Sequence, residues 1–228
     1  MQCKFFFCPF KGGKNKMANE SSAYGTVIIK GTSLDGCKKV LKNMRKFEHW
    51  EYPTYVYLED EEVEENYDEN GYLQANFAGC GRWAYESNIK VMPEHFDDGN
   101  LIEEDFEIIF DFVDYEPGMK VLYKEIATLV HHKGQKLEDM EVKIKSEDIP
   151  FAWENLVNYD VESEETLCFF LNGYIADNEA DYAKEMYGPN TFQNAAFFLS
   201  EYSIYQEHYP ALVNFLKEKG LLKKKSGD

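Results

Sequence analysis

The chain has 228 residues, 44% hydrophobic and 16% aromatic, with 24 basic against 42 acidic side chains and a net charge of −18. That aromatic content can fill a sizeable core, which excludes wholesale disorder. No run of 18 apolar residues is present, which excludes a transmembrane helix, and the acidic balance argues against direct binding of nucleic acid or an anionic membrane by the bulk surface. The length fits one domain, or one domain with a small appendage.

Residues 1–16, MQCKFFFCPFKGGKNK, carry four lysines and no acid, and an acidic chain restarts at Met17. Lys11-Gly12-Gly13 can be encoded by AAA-GGA-GGA, which contains a bacterial ribosome-binding sequence a few codons before Met17. Residues 1–16 are therefore read as translated leader, or as disordered, and set aside. A competing reading makes Cys3 and Cys8 half of a zinc site, but no second closely spaced Cys/His pair follows. The opening apolar stretch is too short for a signal peptide. Between Met17 and Leu216 the net charge is −25. The ending KKKSGD reads as a frayed tail. Cys37, Cys80 and Cys168 are isolated in apolar or small-residue surroundings, as expected of reduced thiols in a cytoplasmic protein.

Tyr24–Lys30 (YGTVIIK) reads as a strand. Thr32 or Ser33 can cap a helix running to about Phe47, with Leu34, Cys37, Val40, Leu41 and Met44 at helical spacing. A second strand, TYVYLE, follows Pro53. Gly71–Lys90 suggests a hairpin centred on Gly79 and Gly81. Phe106–Asp114 reads as a strand with Phe106, Ile108, Phe110 and Phe112 on one face. Pro117 fits the first turn of a helix. That helix would run from about Gly118 to His132, with Val121, Leu122, Ile126, Leu129 and Val130 apolar and Gly134 as its stop. Glu138–Lys145 then alternates, with Met140, Val142 and Ile144 on one face. His131-His132 at the end of such a helix would complement its dipole.

Two β-α-β halves thus share an order. This predicts an α+β fold: a ferredoxin-like split βαβ sheet with an inserted hairpin over residues 17–148. A helical C-terminal region spans 149–228, with short helical segments at 151–157 and 166–171. A helix over 179–187 ends at Gly188-Pro189. Asn190 or Thr191 caps a helix through His208, offering Phe192, Ala195, Ala196, Leu199, Tyr202 and Ile204 for burial. Pro210 starts a last helix. The many tyrosines here read as core and interface packing rather than a ligand cage.

Gly79-Cys80-Gly81-Arg82-Trp83-Ala84-Tyr85-Glu86-Ser87-Asn88 is the densest group of unusual residues. Alternation would put Arg82, Ala84 and Glu86 on one face, and Trp83 and Tyr85 on the other. Arg82 could hold a carboxylate or phosphate bidentately, and Asn88 could read an amide or a base edge. The structural alternative is a hairpin whose Trp83 anchors the core and whose Arg82 pairs with a neighbouring acid. Gly79 or Gly81 with Arg82-Trp83 resembles the Gly-x-Lys-Trp segment of YubB-like ferredoxin-like domains of plasmid and phage proteins, with arginine in place of lysine and a different glycine spacing. The resemblance covers residues 24–145 and implies the fold and a mobile-element setting, not a reaction.

Glu59–Glu69 (EDEEVEENYDE) has eight acids and no base, and Glu94–Glu116 has ten acids and no Lys or Arg. Solvated surface charge is one reading. An acidic surface that fills a partner's basic groove is the other. Asp68-Glu69-Asn70-Gly71 lacks the ligand series of a calcium loop. No His-Glu-x-x-His, Gly-x-Ser-x-Gly or phosphate-loop motif occurs, so no catalytic centre, metal site or cofactor is expected. His49 and His95 lie near aromatics and acids, without a catalytic pattern. The function expected is an acidic binding protein of a phage or mobile element. It would inhibit a basic, nucleic-acid-binding host defence protein through Glu59, Asp60, Glu61, Glu62, Glu64, Glu65, Asp68, Glu69, Arg82, Trp83 and Tyr85. A small metal-assisted transferase or nuclease-like enzyme, and a plain interaction domain, are the alternatives.

Overall fold

The computed structural model describes residues 20–68, 70–97, 103–116, 119–159 and 164–222. Residues 1–16, with Cys3 and Cys8, therefore lie outside the described residues, as do Glu69, Pro117 and the lysines at 223–225. The chain divides into two compact units, the first ending at Phe151 and the second starting at Ala152.

The first unit is α+β. Its strands are β1 (Glu20–Lys30), β2 (Thr54–Tyr57), β3 (Tyr72–Arg82), β4 (Phe106–Glu116), β5 (Val121–His131) and β6 (Glu141–Asp148). They form one antiparallel open sheet in the order β2-β3-β1-β4-β5-β6. The helices are α1 (Leu34–Met44), between β1 and β2, the short α2 (Val63–Asn66), and α3 (Glu86–Val91), between β3 and β4. Val27, Phe77, Ile108, Phe110 and Leu129 belong to the same buried cluster as Val40, Leu41 and Met44 of α1 and Ile89 of α3. Phe77 meets the rings of Phe110 and Phe112 edge-on at 5.1 and 5.8 Å.

The helix expected over 118–132 is not formed: residues 119–132 contain β5. Burial there has period two: Glu125, Ala127, Leu129 and His131 are buried, while Ile126 is 40% exposed. The apolar residues had suggested a helical stripe because a dense run satisfies both spacings. Val121, Ile126, Thr128 and Val130 are β-branched, and pairing with β4 and β6 on either side decides for the strand. Residues 106–148 are thus a three-stranded meander rather than a second β-α-β half. His131 ends a strand, stacks on Phe106 at 4.6 Å, and places its ring nitrogens 2.8 and 2.9 Å from the carbonyls of Glu104 and Gln135.

The expected hairpin at Gly79 and Gly81 is also absent: both glycines lie inside β3. They are needed there for close approach. A Cβ on Gly79 would sit 2.2 Å from the Tyr85 ring, and one on Gly81 2.5 Å from the Tyr85 Cα. Cys37 is a buried free thiol, which burial pushes up to about 12. Cys80 is disulfide-bonded, unlike the reduced thiol expected.

The second unit is helical: α4 (Trp153–Asn158), α5 (Glu164–Ala176), α6 (Ala180–Tyr187), α7 (Thr191–Glu201) and α8 (Pro210–Glu218). Its core joins Leu171, Phe192, Leu199, Leu212 and Leu216. The Asn172 side-chain oxygen accepts from the backbone N–H groups of Ala211 and Leu212 at 3.0 and 3.1 Å, capping α8 from α5. The helix expected to reach His208 ends at Glu201, and Tyr202 and Ile204 are 57% and 75% exposed rather than buried. The Tyr202 backbone has left the helical region, so the 3₁₀ turn at Ser203–Glu207 no longer continues the buried stripe of α7. Among the described residues no helix is long and apolar enough to cross a membrane.

Candidate functional site

The two acidic stretches meet at the start of α1. Ser33 caps this helix, its hydroxyl oxygen accepting from the Gly36 N–H at 3.2 Å. Glu104, from the second stretch, accepts from the Ser33 N–H and the Ser33 hydroxyl, both at 2.9 Å, and from the Thr32 hydroxyl. The Thr32 hydroxyl is the main reason the Glu104 carboxyl titrates below its ordinary range; the Ser33 groups add to it. Tyr67, from the first stretch, donates its hydroxyl to the Thr32 carbonyl at 3.0 Å. Two acid-rich segments some 40 residues apart in sequence are thereby tied to one dipeptide.

The first stretch is built rather than loose. Val63 is fully buried and pins α2 to the core. A capping box links Glu59 and Glu62, with the Glu59 N–H donating to Glu62 Oε2 at 3.0 Å. Asp68 Oδ1 accepts from the N–H groups of Asn70 and Tyr72 at 2.8 and 3.0 Å. With Val63 turned inward, Glu59, Asp60, Glu61, Glu62, Glu64, Glu65 and Asp68 are all exposed. Lys38 bonds Glu64 at 2.7 Å, holding that carboxyl below its ordinary value, and Arg45 pairs with Asp60. In the second stretch Glu103 lies 3.7 Å from Lys133, and Asp105 accepts from the Lys133 N–H at 3.0 Å. That N–H is the main reason Asp105 titrates low.

Arg82, Trp83 and Tyr85 are not part of this surface. Arg82 ends β3 and Trp83 and Tyr85 follow it, whereas Tyr67 bridges to Leu73 at the beginning of the strand. An eleven-residue strand separates the two by about 30 Å. Tyr85 was expected to contact a partner, but it is fully buried: its hydroxyl lies 2.7 Å from that of Thr54, and its N–H donates to Asp114 at 2.7 Å. Burial raises its phenol well above the ordinary value. Trp83 anchors no core; it is 59% exposed with φ +72°. The left-handed residue breaks the alternation and lets the chain turn Tyr85 under the sheet. Arg82 is exposed and stands across from Glu20 of β1. Asn88 donates to the carbonyls of Cys80 and Tyr52 at 2.7 and 3.1 Å, a structural tie rather than a reading head.

Beneath Tyr85 lies a group that sequence reasoning missed. Ser21, Asp114 and Glu125 come from β1, β4 and β5 and are 1%, 1% and 3% exposed. Burial lifts the Asp114 carboxyl from 3.8 to about 6 and the Glu125 carboxyl from 4.5 to about 7, against the lowering effect of the Tyr85 N–H on Asp114 and of Ser146 on Glu125. The Ser21 hydroxyl lies close enough to lower Asp114, yet its Oγ makes no hydrogen bond of ordinary geometry. The signal was phase: Asp114 and Glu116 continue the Phe106–Phe112 face, and Glu125 shares that of Ala127 and Leu129. Among the described residues no group of three His, Cys, Asp or Glu is placed to hold a metal ion.

No family model matches this chain, and neither does any curated protein or solved structure. Ser33→Ala is expected to lower stability by about 1 kcal/mol, since it removes the helix cap and one Glu104 contact. Thermal denaturation checks this, with Ser33→Thr expected to recover most of the loss. An unchanged midpoint in the alanine variant would deny the cap its role.

Proposed function

We propose that this protein is an acidic binding protein that occupies the basic groove of a nucleic-acid-binding partner, as an inhibitor carried by a phage or other mobile element. The observation that carries the reading is the joining of the two acidic stretches at Thr32-Ser33. A surface meant to stand in for nucleic acid needs carboxylates held in place before the partner arrives, because ordering them on binding would cost affinity. The Val63 anchor, the capping box and the Asp68 turn supply that order. The partner-binding residues are Glu59, Asp60, Glu61, Glu62, Glu64, Glu65 and Asp68, joined by Glu103–Asp105. The strand order β2-β3-β1-β4, with α1 and α3 as connections, supports reading the first unit as a ferredoxin-like split βαβ core extended by β5 and β6. A YubB-like kinship and the mobile-element setting belong to the same reading.

The test is capture of host proteins on the immobilised chain at low and raised salt, followed by displacement of the captured protein with excess DNA. Electrostatic association should weaken steeply with salt, and DNA should compete. Replacing Glu61, Glu62, Glu64 and Glu65 with Gln is expected to weaken binding about tenfold or more while keeping the fold, because glutamine also completes a capping box. A captured partner that DNA cannot displace, or one that binds the quadruple variant equally well, would overturn the reading.

A further inference from the structure

Three polar atoms on the covered face of the sheet lack a hydrogen-bond partner: Ser21 Oγ, Asp114 Oδ1 and Glu125 Oε2. An ionised carboxylate in that position is costly unless a cation or donor meets it. Glu116 of β4, Tyr123 of β5, and Ser146 and Asp148 of β6 share the face by register. Glu86 and Lys90 of α3 also act on the pair electrostatically. Lys90 is the one cation in this set, but its side chain is 53% exposed and is bonded to Glu86 at 2.8 Å. A proton neutralises a buried carboxylate without needing a cavity.

We propose that Asp114 and Glu125 form a proton-binding site that latches the segment Trp83–Val91 onto the sheet, closed when the pair is protonated and loosened when both carboxyls are ionised. The contact being held is visible: Asp114 Oδ2 accepts from the Tyr85 N–H at 2.7 Å, and the Tyr85 ring rests on the bare backbone of Gly79; that N–H bond by itself favours the ionised carboxyl, but the burial that the closed segment imposes outweighs it. On ionisation the two charges repel each other and Glu86. They gain hydration only if α3 lifts. The inference is independent of the acidic surface at the other end of β3.

The test is amide hydrogen exchange of residues 85–91 in the full chain at about pH 5.5 and about pH 8, corrected for the intrinsic rate. Protection is expected to fall about tenfold at the higher pH relative to the β1 and β4 amides. In Asp114→Asn/Glu125→Gln the fall should shrink to about twofold or less. Equal protection at both pH values in the unaltered protein, or an unchanged fall in the double variant, would overturn the proposal. Carbon NMR of the unaltered protein gives a second check that needs no variant. Two carboxyls should titrate together with the Tyr85 amide shift between about pH 5.5 and 7.5. Carboxyls that all titrate below about pH 5 would equally sink it.

Discussion

Gly81→Ala is expected to destabilise the first unit by about 3 kcal/mol, and Tyr85→Ala by about 3–5 kcal/mol. The two losses have different causes, and a double-mutant cycle separates them. A Cβ on Gly79 would meet ring atoms of Tyr85 at 2.2, 2.6 and 2.9 Å. Removing the ring therefore makes room, and Gly79→Ala should cost little in a Tyr85→Ala background. A Cβ on Gly81 would instead meet the Tyr85 Cα and N at 2.5 and 2.6 Å and the Ala84 carbonyl carbon at 2.7 Å. Those are backbone atoms, so Tyr85→Ala leaves the Gly81→Ala clash in place and the two costs should add. Denaturant unfolding of the three single and two double variants measures this. Additivity at Gly79, or coupling of more than about 1 kcal/mol at Gly81, would show that Tyr85 does not pack as described.

The second large effect is a stability that falls as pH rises through the neutral range. Asp114 and Glu125 titrate higher in the folded chain than their ordinary 3.8 and 4.5, at about 6 and about 7. Between those limits the folded state holds more protons than the unfolded one, so raising the pH favours unfolding. The stabilisation is complete below about pH 4 and lost by about pH 7–8. A shift of two units corresponds to about 3 kcal/mol, so the two carboxyls together correspond to at most about 6 kcal/mol across the whole window, of which about half falls between pH 5 and pH 8. Net repulsion in a chain of charge −18 acts in the same direction. The comparison is therefore with Asp114→Asn/Glu125→Gln, which retains most of the general repulsion and loses the specific slope. Relative to the unaltered protein, the double variant should gain about 3 kcal/mol between pH 5 and pH 8. Parallel stability curves for the two proteins would show that the pair is not titrating in this range. Glu64, Glu104 and Asp105 have the opposite sign, since their cationic or hydrogen-bond partners favour the ionised form. Their contribution disappears only in more acidic solution.

Local chemistry was enough to place much of the first unit. A cap at Thr32 or Ser33, the apolar spacing of α1 and the alternation of Phe106 to Phe112 could be read directly, because caps and face periodicity are properties of a few neighbouring residues; the structure selects Ser33 as the cap. The acid content of 59–69 and 94–116 was equally plain. What joins those stretches was not, since Tyr67 and Glu104 reach Thr32-Ser33 through contacts spanning 35 and 71 residues. Residues 121–131 show why the strand order had to come from the tertiary structure. Their apolar residues satisfy a helix and a strand alike, and only pairing with β4 and β6 removes the ambiguity. Reading them as a helix also hid Glu125, whose phase has meaning only on a strand. The same holds for Gly79 and Gly81. Two glycines in sequence suggest a turn, whereas here they leave backbone bare for the ring and main chain of Tyr85. Composition and short-range pattern determined that this is an acidic chain with an aromatic core and where most of its elements begin. Which carboxylates face water and which are buried beneath Tyr85 was decided by strand register, because a side chain's face in a sheet is set by what its strand pairs with.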